Sequence, residues 1–205
     1  MFNGMIDLSH HNAIADWAAV KASGVVAVVH KATEGATYRD PLYAARRIEA
    51  KSHGLLWGSY HFSSGVAVAD QVANYLAYAD PRPDELVCLD FEESTAGRDM
   101  DLDDMVGFAT GVRAAIGRLP VVYGGRRLRE ATAGLETSLL SDCPLWYARF
   151  ADQPYDVPRL WKDWTFWQYT DGAAGPEPHE VPGIGRVDRD LFNGTKDAFL
   201  AGWPF

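Results

Sequence analysis

Apolar positions along this chain fall into short runs of strand character that alternate, through the first two thirds, with stretches of helical spacing. Met5-Ile6-Asp7-Leu8-Ser9 reads as a strand with Met5, Asp7 and Ser9 on one face. Asp16-Trp17 opens a short helix that Gly24 stops, and Val25 to His30 is a near-continuous apolar run suited to a strand covered on both faces. Asp40-Pro41 predicts the start of a second helix, an N-cap followed by proline, with Gly54 as its end. Leu55 to Phe62 is a strand carrying Gly58, Tyr60 and Phe62 on one face. Val68, Val72, Tyr75, Leu76 and Ala79 then recur at i, i+4, i+7, i+8 and i+11 as an amphipathic helix ended by Asp80-Pro81.

The alternation continues with a strand over 86–92 and a helix carrying Met105, Phe108, Ala109, Val112 and Ile116, closed by Gly117. A fifth strand follows at Pro120 to Gly124, with a helix around 126–139. Beyond it Leu145 to Arg149, Thr165 to Tyr169 and Arg186 to Asp190 read as strands without clear helices between them, and Asp171 to Gly185, with three prolines and four glycines, reads as a loop. Eight strands, the first five alternating with helices, predict an α/β fold: an irregular (β/α) barrel, mostly parallel, whose last helices are reduced or missing. No composition break divides residues 1–205, so a single catalytic barrel domain is expected. An open doubly wound sheet would want a Gly-rich phosphate loop after its first strand, and Asp7-Leu8-Ser9-His10-His11 is not one.

Composition narrows the partners. A net charge of -9 over 205 residues argues against nucleic acid, and no stretch is long and apolar enough for membrane insertion. Cys88 and Cys143 form neither a disulfide framework nor a zinc spacing. No basic region followed by an apolar segment marks a signal peptide near Met1. The protein is therefore expected to be made in the cytoplasm and to meet its substrate by release or a non-classical route, as a monomer. The adjacent His10 and His11 point apart on an extended chain and have no third partner at zinc spacing, so neither a metal nor another cofactor is expected.

The chemistry concentrates in Leu86-Val87-Cys88-Leu89-Asp90-Phe91-Glu92-Glu93. Period-two alternation aims Cys88, Asp90 and Glu92 one way and Leu89, Phe91 and Glu93 the other. Two carboxylates at a strand end suit glycosidic cleavage, in which one protonates the leaving oxygen and the other attacks or stabilises the developing cation. A solvated acidic turn is the bland alternative for this stretch alone. In a barrel, however, Asp7, Lys31 with Glu34, Tyr60, Asp90 with Glu92, Tyr123, Gln168, and Asp188 with Asp190 would all reach the mouth at the strands' C-terminal ends. Burying several like charges costs roughly several kcal/mol, so such a collection points to function.

Six segments in order resemble glycoside hydrolase family 25, the Chalaropsis-type lysozymes. They are Ile6-Asp7-Leu8-Ser9, Lys31-Ala32-Thr33-Glu34-Gly35, Gly58-Ser59-Tyr60-His61-Phe62, Leu89-Asp90-Phe91-Glu92, Phe166-Trp167-Gln168-Tyr169, and Val187-Asp188 with Phe192-Asn193-Gly194. The resemblance implies hydrolysis of the β-1,4 bond between N-acetylmuramic acid and N-acetylglucosamine in peptidoglycan glycan strands, with retention of configuration. It implies Glu92 as general acid/base, Asp90 as its partner, and Asp7 and Asp188 as further catalytic acids. Tyr60, Tyr123, Gln168, Glu34, Trp146 and Asp190 are the candidate substrate contacts. The family usually has Asn where this chain has Asp190, and its members often carry wall-binding repeats that this sequence lacks.

Each contact has a structural rival. Glu34 can pair with Lys31; Tyr60, Tyr123 and Trp146 can be core; a salt bridge to Arg186 or Arg189 would remove Asp190 from the cleft. A non-catalytic glycan-binding barrel and a metal-dependent polysaccharide hydrolase or deacetylase are the rival functions. Among the acids, burial together with charge on Asp7, Asp90 and Asp188 is expected to raise Glu92, with Asp90 ionising first.

Overall fold

Period-two strands close on one another in the computed structural model, which describes residues 1–205. The strands are β1 (Phe2–Leu8), β2 (Ala27–Glu34), β3 (Tyr38–Arg39), β4 (Leu56–Phe62), β5 (Leu86–Asp90), β6 (Val121–Gly124), β7 (Leu145–Ala148), β8 (Phe166–Thr170), β9 (Glu180–Val181), β10 (Gly185–Arg186) and β11 (Asp188–Phe192). The helices are α1 (Trp17–Ala22), α2 (Tyr43–Ser52), α3 (Val68–Ala79), α4 (Leu102–Ile116), α5 (Arg126–Ala131) and α6 (Lys196–Gly202), with a 3₁₀ turn at Leu139–Asp142. The large sheet runs β1-β11-β8-β7-β6-β5-β4-β2-β3, and an additional β1–β2 pairing closes it into a barrel of eight strands with β3 as an appendage. Closure excludes the open doubly wound sheet. All barrel neighbours are parallel except at β11, which runs antiparallel to both β1 and β8.

Alternation along the strands separates two cores. Met5, Ala27, Val29, Leu86, Cys88, Val121, Phe166 and Phe192 fill the barrel interior, while Ile6, Val28, Trp57, Leu89, Phe91, Val122, Tyr147 and Trp167 face outward into a larger cluster under the helices. Each fully buried large apolar side chain contributes about 1.5–3 kcal/mol relative to exposure. Gly58 sits where a Cβ would come within 2.9 Å of the Leu86 Cβ, so the β4–β5 approach needs glycine there. Trp161, Trp164 and Trp167 are all buried in the outer cluster.

Several elements depart from the sequence pattern. Helix α2 begins at Tyr43, because the Asp40 carboxylate accepts from the Leu42 N–H at 3.0 Å and makes a turn ahead of the helix. The helix expected over 126–139 is six residues of α5 followed, after an irregular stretch, by the 3₁₀ turn. The Asp171 to Gly185 segment contains β9, which pairs with β10 in a small hairpin. Helix α6 has no counterpart in the pattern; Thr195 caps it, and its buried Phe199 packs against Phe2, Phe166 and Phe192 to plug the end of the barrel opposite the acids.

Candidate active site

The strand ends of β1, β2, β4, β5, β6, β7 and β8, with the start of β11, surround a cleft of about 280 Å³. Asp7, Ser9, His11, Lys31, Tyr60, Phe62, Cys88, Asp90, Glu92, Thr95, Tyr123, Trp146, Gln168 and Asp188 line it. Eight of the ten candidate residues therefore converge there. Asp188 arrives by a route that the pattern did not predict. It opens the antiparallel β11, directly opposite Asp7 at the end of β1, whereas the sequence had placed it at the end of a parallel strand.

Hydrogen bonds fix the far side of the cleft. Tyr123 donates its hydroxyl to Gln168 Oε1 at 2.8 Å, and Gln168 Nε2 donates to Asp7 Oδ2 at 2.7 Å. The amide orientation follows, since the oxygen must face the hydroxyl and the nitrogen the carboxylate. On the near side Cys88, Asp90 and Glu92 line the cleft while Leu89 and Phe91 enter the outer core, as period two requires. Glu93 points away and meets Arg126 at 3.2 Å. Trp146 faces the cleft and Tyr147 the outer core.

Two candidates stand behind the lining. Glu34 is clasped by Lys31 at 2.6 Å and by the Thr95 hydroxyl, so it braces lining residues without itself lining the cleft. Asp190 is fully buried; its Oδ1 accepts from the Trp146 indole at 2.7 Å and its Oδ2 has no partner. Neither arginine pairs with it: Arg189 donates to Glu180 O and Asn3 Oδ1. Of the other lining residues, the sequence had placed Lys31 at the mouth and Cys88 on the face of Asp90 and Glu92, but it did not single out Ser9, Phe62 or Thr95 as site residues. Ser9, Phe62 and Cys88 share strand faces with Asp7, Tyr60 and Asp90 and were legible by period two; Thr95 comes from an irregular loop and had no local signal.

Burial leads every carboxyl shift in the cleft. Asp7 is raised by burial and by charge on Asp188 and Asp190, against the Gln168 hydrogen bond. Asp188 is pushed up to about 6 by burial, with Asp171 and Glu92 adding to it. Asp90 is raised by burial and then by Glu92, against Lys31. Glu92 is raised by burial and then by Glu93, against Lys31. The expected direction for Glu92 holds, but its leading charged neighbour is Glu93. Asp90 is more enclosed and feels the charge on Glu92, so burial and repulsion do not favour Asp90 ionising first. Burial and mutual repulsion both favour keeping a proton within this group of carboxyls, so the cleft is suited to supply a general acid. No group of three or more His, Cys, Asp or Glu is arranged to hold a metal ion.

Residues 6–177 match the sequence profile of the glycosyl hydrolases family 25. The chain belongs to that family. Lysozyme M1 of Streptomyces globisporus is 31% identical over 210 residues, an alignment covering 96% of this chain and 69% of that protein. The N,O-diacetylmuramidase of Chalaropsis sp is 26% identical, covering 82% of this chain and 88% of that one. The crystal structure of the bacterial lysozyme from Streptomyces coelicolor has a TM-score of 0.84 at 27% identity, covering 97% of this chain and 95% of its own. As a family 25 member the chain is a glycoside hydrolase, and its irregular barrel matches the fold of the Streptomyces coelicolor lysozyme.

Proposed function

We propose that this family 25 hydrolase is a lysozyme that cleaves the β-1,4 bond between N-acetylmuramic acid and N-acetylglucosamine in peptidoglycan. The observation that carries the reading is Asp90 and Glu92 side by side on one cleft wall, both raised by burial. Glu92, the less enclosed of the two, protonates the glycosidic oxygen and afterwards takes a proton from water. Asp90, which lines the cleft, orients and stabilises the substrate's acetamido group, which attacks with overall retention. Asp7 and Asp188, held by Gln168 and each other's proximity in the β1–β11 ladder, shape the opposite wall. Tyr60, Tyr123, Gln168 and Trp146 contact the sugar, while Glu34 and Asp190 act through Lys31, Thr95 and Trp146. Residues 1–205 act as one catalytic domain on the bacterial wall after release from the cytoplasm.

Mass spectrometry of the fragments released from purified peptidoglycan tests the reading. Muramic acid at the new reducing end is expected. Glucosamine there would mean that the other linkage is cut, and no fragments at all would leave the glycan-binding alternative.

A further inference from the structure

We propose that the surface formed by His10, His11 and Tyr38 is a binding subsite for the glycan strand where it leaves the cleft, an inference that rests on the peptidoglycan reading above. A cleft of about 280 Å³ lies just below the roughly 300–1,000 Å³ that encloses a drug-sized ligand, so most of a polymer must lie outside it. His11 is exposed and lines the cleft rim. Its ring centroid is 3.9 Å from that of His10, whose ring lies 6.0 Å from Tyr38. Tyr38 in turn stands with its centroid 5.4 Å from the Lys31 ammonium, another lining group. The three rings thus lie beside the cleft as a chain of neighbours running from His11 to Lys31, both lining residues. Flat rings of this kind suit the C–H faces of pyranose sugars, and their polar edges suit the hydroxyl and acetamido groups around them.

The surface is built rigidly. Asp40, fully buried, accepts from the His10 N–H at 2.9 Å and pairs with His10 Nδ1 at 3.0 Å. Arg46, also buried, donates to Ser9 O at 2.7 Å and to Asn12 O, spanning the loop that carries both histidines. Its other partner is His30 Nε2 at 3.0 Å, on a ring that burial pushes down to about 4 and so keeps neutral and able to accept. Tyr38 is fixed by the β2–β3 pairing opposite Glu34. Two buried charges spent on one exposed loop make sense if the loop must be pre-organised, because rings already in place lose little freedom on binding.

Binding to the Glu92→Gln protein separates the possibilities, using a tetrasaccharide and an octasaccharide of alternating N-acetylglucosamine and N-acetylmuramic acid. The octasaccharide should bind more tightly by about tenfold, and adding His11→Ala with Tyr38→Ala should remove most of that preference. The His11→Phe, Tyr38→Phe version keeps two flat rings and should retain it. A preference that survives the double alanine change would overturn the subsite. So would one that is lost only with Phe150→Ala and Tyr155→Ala, exposed aromatics of the β7–β8 loop. Failure of both oligosaccharides to bind would overturn the peptidoglycan reading, and the subsite with it.

Discussion

Gln168 donates to Asp7 across 2.7 Å, tying β8 to β1 on the far side of the cleft although 161 residues separate them. The antiparallel β11 lies between those two strands and delivers Asp188 beside Asp7. One amide therefore orients a carboxyl that burial and charge on Asp188 and Asp190 raise, with the Gln168 hydrogen bond acting against them. Three predictions follow from charges crowded into this mouth, and a fourth from what the mouth lacks.

Glu92→Gln should lower turnover on peptidoglycan by about a hundredfold or more, the low end for loss of a general acid–base. The change is nearly isosteric at a half-buried position, so the melting temperature should hardly move. Lysis by the variant at near wild-type rate would remove Glu92 from the mechanism.

The pH–rate profile should be bell-shaped with a mildly acidic optimum, its alkaline limb reporting loss of the last proton shared by Asp90 and Glu92. Asp188 and Glu92 repel each other when charged, so Asp188→Asn should shift that limb towards acid. Lys31 lowers both members of the pair, so Lys31→Met should shift it towards alkali. Initial rates on a soluble glycan fragment decide it. Limbs that stay put, or move in the same direction in both variants, would dissolve the picture of one coupled cluster.

Stability should carry the same signature. Asp188 rises from 3.8 to about 6 on folding, so between those values the native state binds the extra proton and stability falls as pH rises. Burial holds His30 and His61 at about 4, which acts in the opposite sense as pH falls below 6.5. The difference between Asp188→Asn and wild type isolates the acid. It should be near zero below pH 4 and grow through pH 6 to a variant advantage of roughly 6–12 °C in Tm. A difference that does not change with pH would mean Asp188 ionises alike in both states.

Exhaustive chelation should leave activity unchanged, because no clustered His, Cys, Asp or Glu set is arranged around a metal. Elemental analysis alongside the assay checks it. Activity that disappears with chelator and returns with zinc would reopen the metal-dependent hydrolase.

The sequence by itself determined the elements whose cause is local. Period-two alternation was enough to place Cys88, Asp90 and Glu92 on the cleft side and Leu89 and Phe91 under the helices. Helical spacing located α3 at Val68–Ala79, and the Gly117 stop ended α4 at Ile116 with a left-handed φ of 78°. Only the tertiary structure decided what depends on partners distant in the chain. The direction of β11 is set by its pairing with β1 and β8, which no local pattern encodes, and it turned the start of a strand into part of the cleft lining. Asp190 carries the same alternation signal as Asp188. It is nevertheless enclosed beneath Trp146, because depth along a barrel axis is a property of the closed sheet and not of one strand. Helix α6 is short, and its Phe199 is buried because the barrel end supplies Phe2, Phe166 and Phe192 to pack against, a driving force that exists only after closure.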